Sequence, residues 1–147
     1  MKATKIEIGL DPDILTELQT RLRQTRWPLQ VGEDSWEYGV PQAWLKDIAG
    51  YWADEWDWQA EADAMNRFDH YRADIDGLPV HFLHAPGKGP DPTPLILTHG
   101  WPWTFWDFKD VIEPLTDPAA HGGDPADAFE VIVPSLPGFG FSSPMPR

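Results

Sequence analysis

Ile14, Leu15, Leu18 and Leu22 recur at spacings of three and four, the period of one apolar face of a helix. Asp11-Pro12 just ahead of them supplies a capping side chain and a proline at the first helical position. A helix is therefore predicted from about residue 12 to 25. Trp27-Pro28 ends it, because proline disfavours helical dihedrals at the residue before it, and Leu29 to Gly39 reads as a loop. Pro41 opens a second helix in the same way. Trp44, Leu45, Ile48, Ala49 and Trp52 follow the helical repeat there, with Trp56 one turn further on. A short third helix is predicted between Asp57 and Asn66.

After Arg67 the period changes to two. Tyr71, Ala73 and Ile75 alternate with His70, Arg72 and Asp74, and Asp76-Gly77 separates them from Val80, Phe82 and His84. Asp-Gly between alternating runs is a strong hairpin signal. A Gly/Pro-rich stretch from Pro86 to Pro94 leads into Leu95-Ile96-Leu97, a continuous apolar run of the kind found in strands buried on both faces. Phe105, Phe108, Ile112 and Leu115 predict a helix, and Phe129 to Val133 a second buried strand. Strand, helix, strand implies a parallel pair with a crossover, the unit of an open α/β sheet. The sequence thus divides near residue 67 into a helical segment, 1–67, and the first strands of an α/β sheet, 68–147. A hairpin and two parallel strands with one helix cannot cover both faces of such a sheet, so other polypeptide is expected to complete it.

Charge and composition narrow the function classes. Twenty-four acidic against 11 basic residues give a formal net charge of −13, which repels phosphate backbones and anionic headgroups, so neither nucleic acid nor a membrane is expected as a partner. The 147 residues hold no Cys, nine Trp, 16 Pro and 12 Gly. Disulfides and thiolate chemistry are thereby excluded, and a loop-rich chain is expected. Met1 to Leu10 include Glu7 and lack the apolar run of a signal peptide, so a soluble cytoplasmic protein is the expectation.

The candidate chemistry lies in two loops. Thr98-His99-Gly100-Trp101-Pro102 follows the first buried strand, and Pro134-Ser135-Leu136-Pro137-Gly138-Phe139-Gly140-Phe141-Ser142 follows the second. Parallel strands place both at one carboxyl edge, where open α/β sheets bind ligands. Glycine in the first turn lets a backbone N–H face the crevice, able to stabilise an oxyanion, and phenylalanines of the second could wall it. The plainer readings are a tight turn buried by tryptophan and a surface loop with aromatic anchors.

Together with Arg26-Trp27-Pro28, Trp36, Tyr38-Gly39-Val40-Pro41, Tyr51-Trp52, Asp57-Trp58, Asn66-Arg67-Phe68, Ile75-Asp76-Gly77-Leu78 and His81-Phe82, these loops resemble epoxide hydrolases of the microsomal and juvenile-hormone type. The resemblance implies an incomplete α/β-hydrolase sheet preceded by a helical N-terminal meander, and conversion of a small-molecule epoxide to a vicinal diol without metal or organic cofactor. It also implies a family mechanism in which an aspartate after a later strand attacks the epoxide, cap tyrosines protonate the opening ring, and a histidine oriented by an acidic residue activates water to cleave the resulting ester. Only the oxyanion hole maps here. Trp101 resembles one backbone donor, with His99, Gly100 and Pro102 shaping its turn, and Phe139 and Trp103 are candidate substrate-pocket residues. Where the family has a small Gly-Ser pair after the turn, this chain has Trp103-Thr104, which narrows the expected crevice mouth.

No HExxH or GxSxG occurs, so no metal site or serine elbow is expected. Asp107 and Asp110 are assigned to a solvated helix face. His70, His81, His84 and His121 are assigned to solvent or to a hydrogen-bonded core. The chain is expected to be inactive alone. The alternatives are an interaction module that completes a separately encoded hydrolase, and part of a haloalkane dehalogenase-like enzyme, which shares HGxP.

Overall fold

The computed structural model describes residues 2–9, 11–32 and 35–143. Leu10, part of the Leu29 to Gly39 loop (Glu33 and Asp34) and the final residues from Pro144 lie outside them. The chain divides into two compact units, residues 9–62 and residues 1–8 with 63–147.

In the first unit, α1 (Pro12–Arg23) begins at Asp11, whose carboxylate accepts the Asp13 N–H at 2.9 Å. Its partner α2 (Gln42–Asp54) starts one residue later than expected: Pro41 is the cap rather than the first helical residue. Arg23 joins the two helices through Asp54, at 2.6 Å. A single turn of tighter helix, Trp36–Tyr38, interrupts the expected loop, and Trp36 meets Trp44 edge to face, with ring centroids 5.6 Å apart. α3 (Trp58–Met65) follows. Among the described residues no helix is long and apolar enough to cross a membrane.

The second unit is a five-stranded mixed sheet among the described residues, in the order β1-β2-β3-β5-β4. The hairpin forms as the alternation predicts, β2 (Asp69–Ile75) against β3 (Leu78–Ala85). Asp76 and Gly77 both have positive φ, 53° and 83°, the geometry a two-residue turn needs to match strand twist. The Asp74 carboxylate fixes this turn by accepting the Gly77 N–H at 2.9 Å. β4 (Thr93–Ile96) runs parallel to β5 (Phe129–Pro134), and β5 pairs antiparallel with β3.

Two features depart from the sequence reading. The first residues form a strand, β1 (Ala3–Ile6), paired antiparallel with β2. The start of the chain therefore belongs to the sheet unit and not to the helical segment. Its alternation is short, and its partner lies more than 60 residues away, so only the tertiary pairing makes it a strand. Also, among the described residues β4 is the outer strand, with Ile96 64% exposed. An apolar run reports the preference of a strand for cover but not whether cover is present.

The core of this unit is the face carrying Leu83, Val131 and Val133, closed by Phe105 and by Ile112 of α4 (Lys109–Thr116). The expected single helix after residue 105 begins as a tighter turn, Phe105–Phe108. The cause is a capping box: the Thr104 hydroxyl accepts the Trp106 N–H at 3.3 Å, and the Asp107 carboxylate accepts the Thr104 N–H at 3.1 Å. Reciprocal capping satisfies the donors at a helix start and fixes where the turn after residue 102 must end.

Candidate active site

Because β4 and β5 are parallel, the residues that follow them emerge at the same edge of the sheet. His99 joins the two loops. Its Nε2 accepts the Leu136 N–H at 3.1 Å, which leaves the proton on Nδ1, and Nδ1–H donates to the Gly100 carbonyl at 3.1 Å. The ring also packs on Phe139, centroid to centroid 5.3 Å. His99 is buried, at 5% exposure, so these bonds form out of competition with water.

The Gly100 carbonyl oxygen receives a second bond, from the Trp103 N–H at 2.9 Å. A peptide group is planar, so holding the Gly100 oxygen from two sides also fixes the direction of the N–H on its other edge, which belongs to Trp101. That N–H makes no hydrogen bond to another described residue. Trp101 joins Pro102 through a cis peptide bond, and its side chain is 81% exposed. The turn is therefore not a knot buried by tryptophan; its buried element is the His99 imidazole. Gly100 is open on the side where a Cβ would stand, with nothing within 4 Å.

An open depression of about 390 Å³ adjoins this turn, bordered by Thr98, His99, Gly100, Trp103, Asp107 and Phe108. Trp103 is on this border, whereas Phe139 is not among the bordering residues. Asp107 also faces the depression, but its carboxylate is engaged in capping. Asp110 lies exposed on α4. No cluster of three or more His, Cys, Asp or Glu arranged to hold a metal occurs among the described residues.

The family Epoxide hydrolase N terminus matches residues 3–108, a span that includes the His99 turn. The chain belongs to this family. This epoxide hydrolase N terminus is 48% identical over 139 residues to a putative epoxide hydrolase of Stigmatella aurantiaca (strain DW4/3-1), covering 95% of this chain and 32% of that protein. It is 37% identical over 134 residues to epoxide hydrolase 1 of Oryctolagus cuniculus, covering 87% of this chain and 29% of the relative. It superposes on the crystal structure of juvenile hormone epoxide hydrolase from the silkworm Bombyx mori with a TM-score of 0.82 at 30% identity, covering 95% of this chain and 33% of that one. The family resemblance and the α/β-hydrolase class expected from the sequence are both supported. The chain spans about a third of the length of these relatives.

Sequence reasoning left His70 and His81 between solvent and a hydrogen-bonded core and missed Ser135 as a partner; the two imidazoles lie buried beneath the second loop. His70 and His81 stack with ring planes 17° apart, and His81 reaches Ser135, the second residue of that loop, at 2.9 Å. The hairpin register pairs Arg72 with His81 and His70 with Leu83, which places the two imidazoles diagonally on one face. The two-residue Asp76-Gly77 turn contained that signal; Ser135 carried none. Burial holds both imidazoles below the usual histidine range. For His81, burial first, then the neighbouring His70 and Arg72, bring the pKa down to about 3.

Proposed function

We propose that this chain is the N-terminal part of an enzyme that hydrolyses an epoxide to a vicinal diol through an aspartyl ester, and that the Trp101 N–H is one donor of its oxyanion hole. The observation that carries this reading is the clamped Gly100-Trp101 peptide: its oxygen is held by His99 and Trp103, and its N–H makes no bond to another described residue. His99, Gly100 and Pro102 shape the turn, while Trp103 borders the substrate side and Phe139 braces His99.

In the proposed sequence, a carboxylate oxygen attacks a ring carbon, the C–O bond of the epoxide breaks, and a tyrosine proton passes to the released oxygen. Water, deprotonated by a histidine, then adds to the ester carbonyl. The negative charge that develops on the carbonyl oxygen is what the Trp101 N–H stabilises; the acyl C–O bond then breaks, the departing alcohol oxygen takes the proton held by the histidine, and the diol leaves as the second proton of the water returns to the tyrosine, restoring the carboxylate. The nucleophile, base and proton-donating tyrosines belong to polypeptide beyond these 147 residues. Asp107 is a poor substitute for the nucleophile because capping already occupies its carboxylate.

The test begins with the mass of the native protein, expected to lie well above the 16.7 kDa of this chain. In that full polypeptide, replacing the Trp101 amide by an ester linkage is expected to slow ester hydrolysis by roughly 10²- to 10³-fold. Trp101→Ala, which keeps the N–H, should have a far smaller effect. Epoxide turnover by the 147-residue chain alone, lost on substitution of one of its own carboxylates, would overturn the assignment.

A further inference from the structure

We infer that His81, bonded through its two ring nitrogens to His70 and Ser135, is a positioning residue that holds the 134–142 loop, and through it the Trp101 turn, in place for ester hydrolysis. This rests on the oxyanion reading of Trp101 given above.

The bonds have a single consistent direction. The Met65 carbonyl can only accept, so His70 Nε2–H donates to it at 2.9 Å. His70 Nδ1 then accepts from His81 Nε2–H at 3.0 Å, and His81 Nδ1 accepts from the Ser135 hydroxyl at 2.9 Å. All three side chains are at most 1% exposed. The His81 backbone grips the same loop: its N–H donates to the Ser142 hydroxyl at 2.8 Å, and its carbonyl accepts the Ser135 N–H at 2.9 Å. The Ser142 hydroxyl in turn donates to the Ser135 carbonyl at 2.7 Å. Both ends of the loop are thus tied to one residue of β3.

Phe105 and Phe141 meet the His81 ring edge-on, with centroids 4.8 and 5.3 Å away, and keep water from these bonds. Gly140 leaves room for the Ser135 hydroxyl: a Cβ there would stand 2.9 Å from that oxygen, and the φ of +46° is one glycine favours. The residue after Ser135 is Leu136, whose N–H holds His99, and His99 holds the Gly100 oxygen of the candidate donor peptide. The buried imidazole pair therefore reaches the Trp101 N–H through continuous named contacts, with no part in the chemistry itself.

Two substitutions separate positioning from packing. His81→Asn puts an amide where Nδ1 stood and retains the Ser135 bond; His81→Gln puts it where Nε2 stood and retains only the His70 bond. Ser135→Ala removes the same bond from the other side with a change of one atom. In the full native polypeptide, with styrene oxide as the probe epoxide, rapid-quench kinetics measure ester formation and ester hydrolysis separately, and hydrogen exchange follows the Leu136 amide. His81→Gln and Ser135→Ala are expected to slow hydrolysis of the ester roughly 10- to 100-fold, with KM little changed and faster Leu136 exchange, while His81→Asn stays close to the parent. Equal losses in the Asn and Gln variants, or an unchanged Ser135→Ala, would overturn the inference. If the Trp101 ester linkage slows hydrolysis but His81→Gln and Ser135→Ala do not, His81 loses its role and the oxyanion reading stands. If the Trp101 linkage changes nothing, both fall.

Discussion

Acid should destabilise this protein as the pH falls below about 6.5, and the cause is the buried imidazole pair. His81 is fully buried, and its pKa is down at about 3 from an ordinary 6.5; His70 shifts in the same direction, again chiefly by burial. The folded state thus keeps the His81 ring neutral and disfavours the charged form of His70, whereas the unfolded chain protonates both below about 6.5. Stability is full above that value and falls as the pH drops from there toward 3. For His81 the free energy changes by about 1.4 kcal/mol per pH unit across the window. Between pH 7.5 and 5 this amounts to about 2 kcal/mol, and His70 adds to the slope. The exposed ion pairs Lys5–Asp69 and Lys88–Asp117 do not confuse the result, because their aspartates are held below 3.8 and lose their contribution only at more acidic pH. Urea unfolding followed by tryptophan fluorescence at pH 7.5, 6.5, 5.5 and 5.0 gives the slope, provided the m-value stays constant. His81→Asn cannot take up that proton in either state, so its curve should be flatter by about 2 kcal/mol over the same range. A parent protein equally stable at pH 7.5 and 5, or an Asn variant with the parent's slope, would refute the reasoning.

Three further outcomes follow from local geometry. Thr104→Ala removes one side of the capping box that ends the turn after His99 and should cost about 1 kcal/mol in chemical unfolding; no change would mean that the turn is fixed elsewhere. Gly89→Ala places a Cβ 2.2 Å from the Pro125 carbonyl oxygen and 2.8 Å from the Ala128 Cβ, and a lowered unfolding midpoint corresponding to about 1–3 kcal/mol is expected. Gly77→Ala puts a side chain at a φ of +83° in the hairpin turn, which should cost about 1–2 kcal/mol, read by faster exchange of the β2 and β3 amides.

Much of this molecule was legible locally. Asp11-Pro12 set the start of α1, and Asp76-Gly77 set the hairpin, because caps and tight turns depend on the dihedrals and short-range bonds of a few neighbouring residues. The two candidate loops could be assigned to one sheet edge, since parallel strands allow no other arrangement. The ordered set of tryptophan, proline and glycine motifs carried the family. What the sequence did not disclose depends on partners far along the chain. β1 is a strand only because β2 pairs with it, and β4 is an edge because β5 has its other neighbour in β3. His99 appears in sequence as one residue of a turn. It becomes the fastening of the site because Leu136, 37 positions away, offers an N–H to its ring. His81 follows the same rule, with Ser135 lying 54 positions on. A hydrogen bond needs donor and acceptor within about 3 Å, and only the closed sheet brings such distant groups that close.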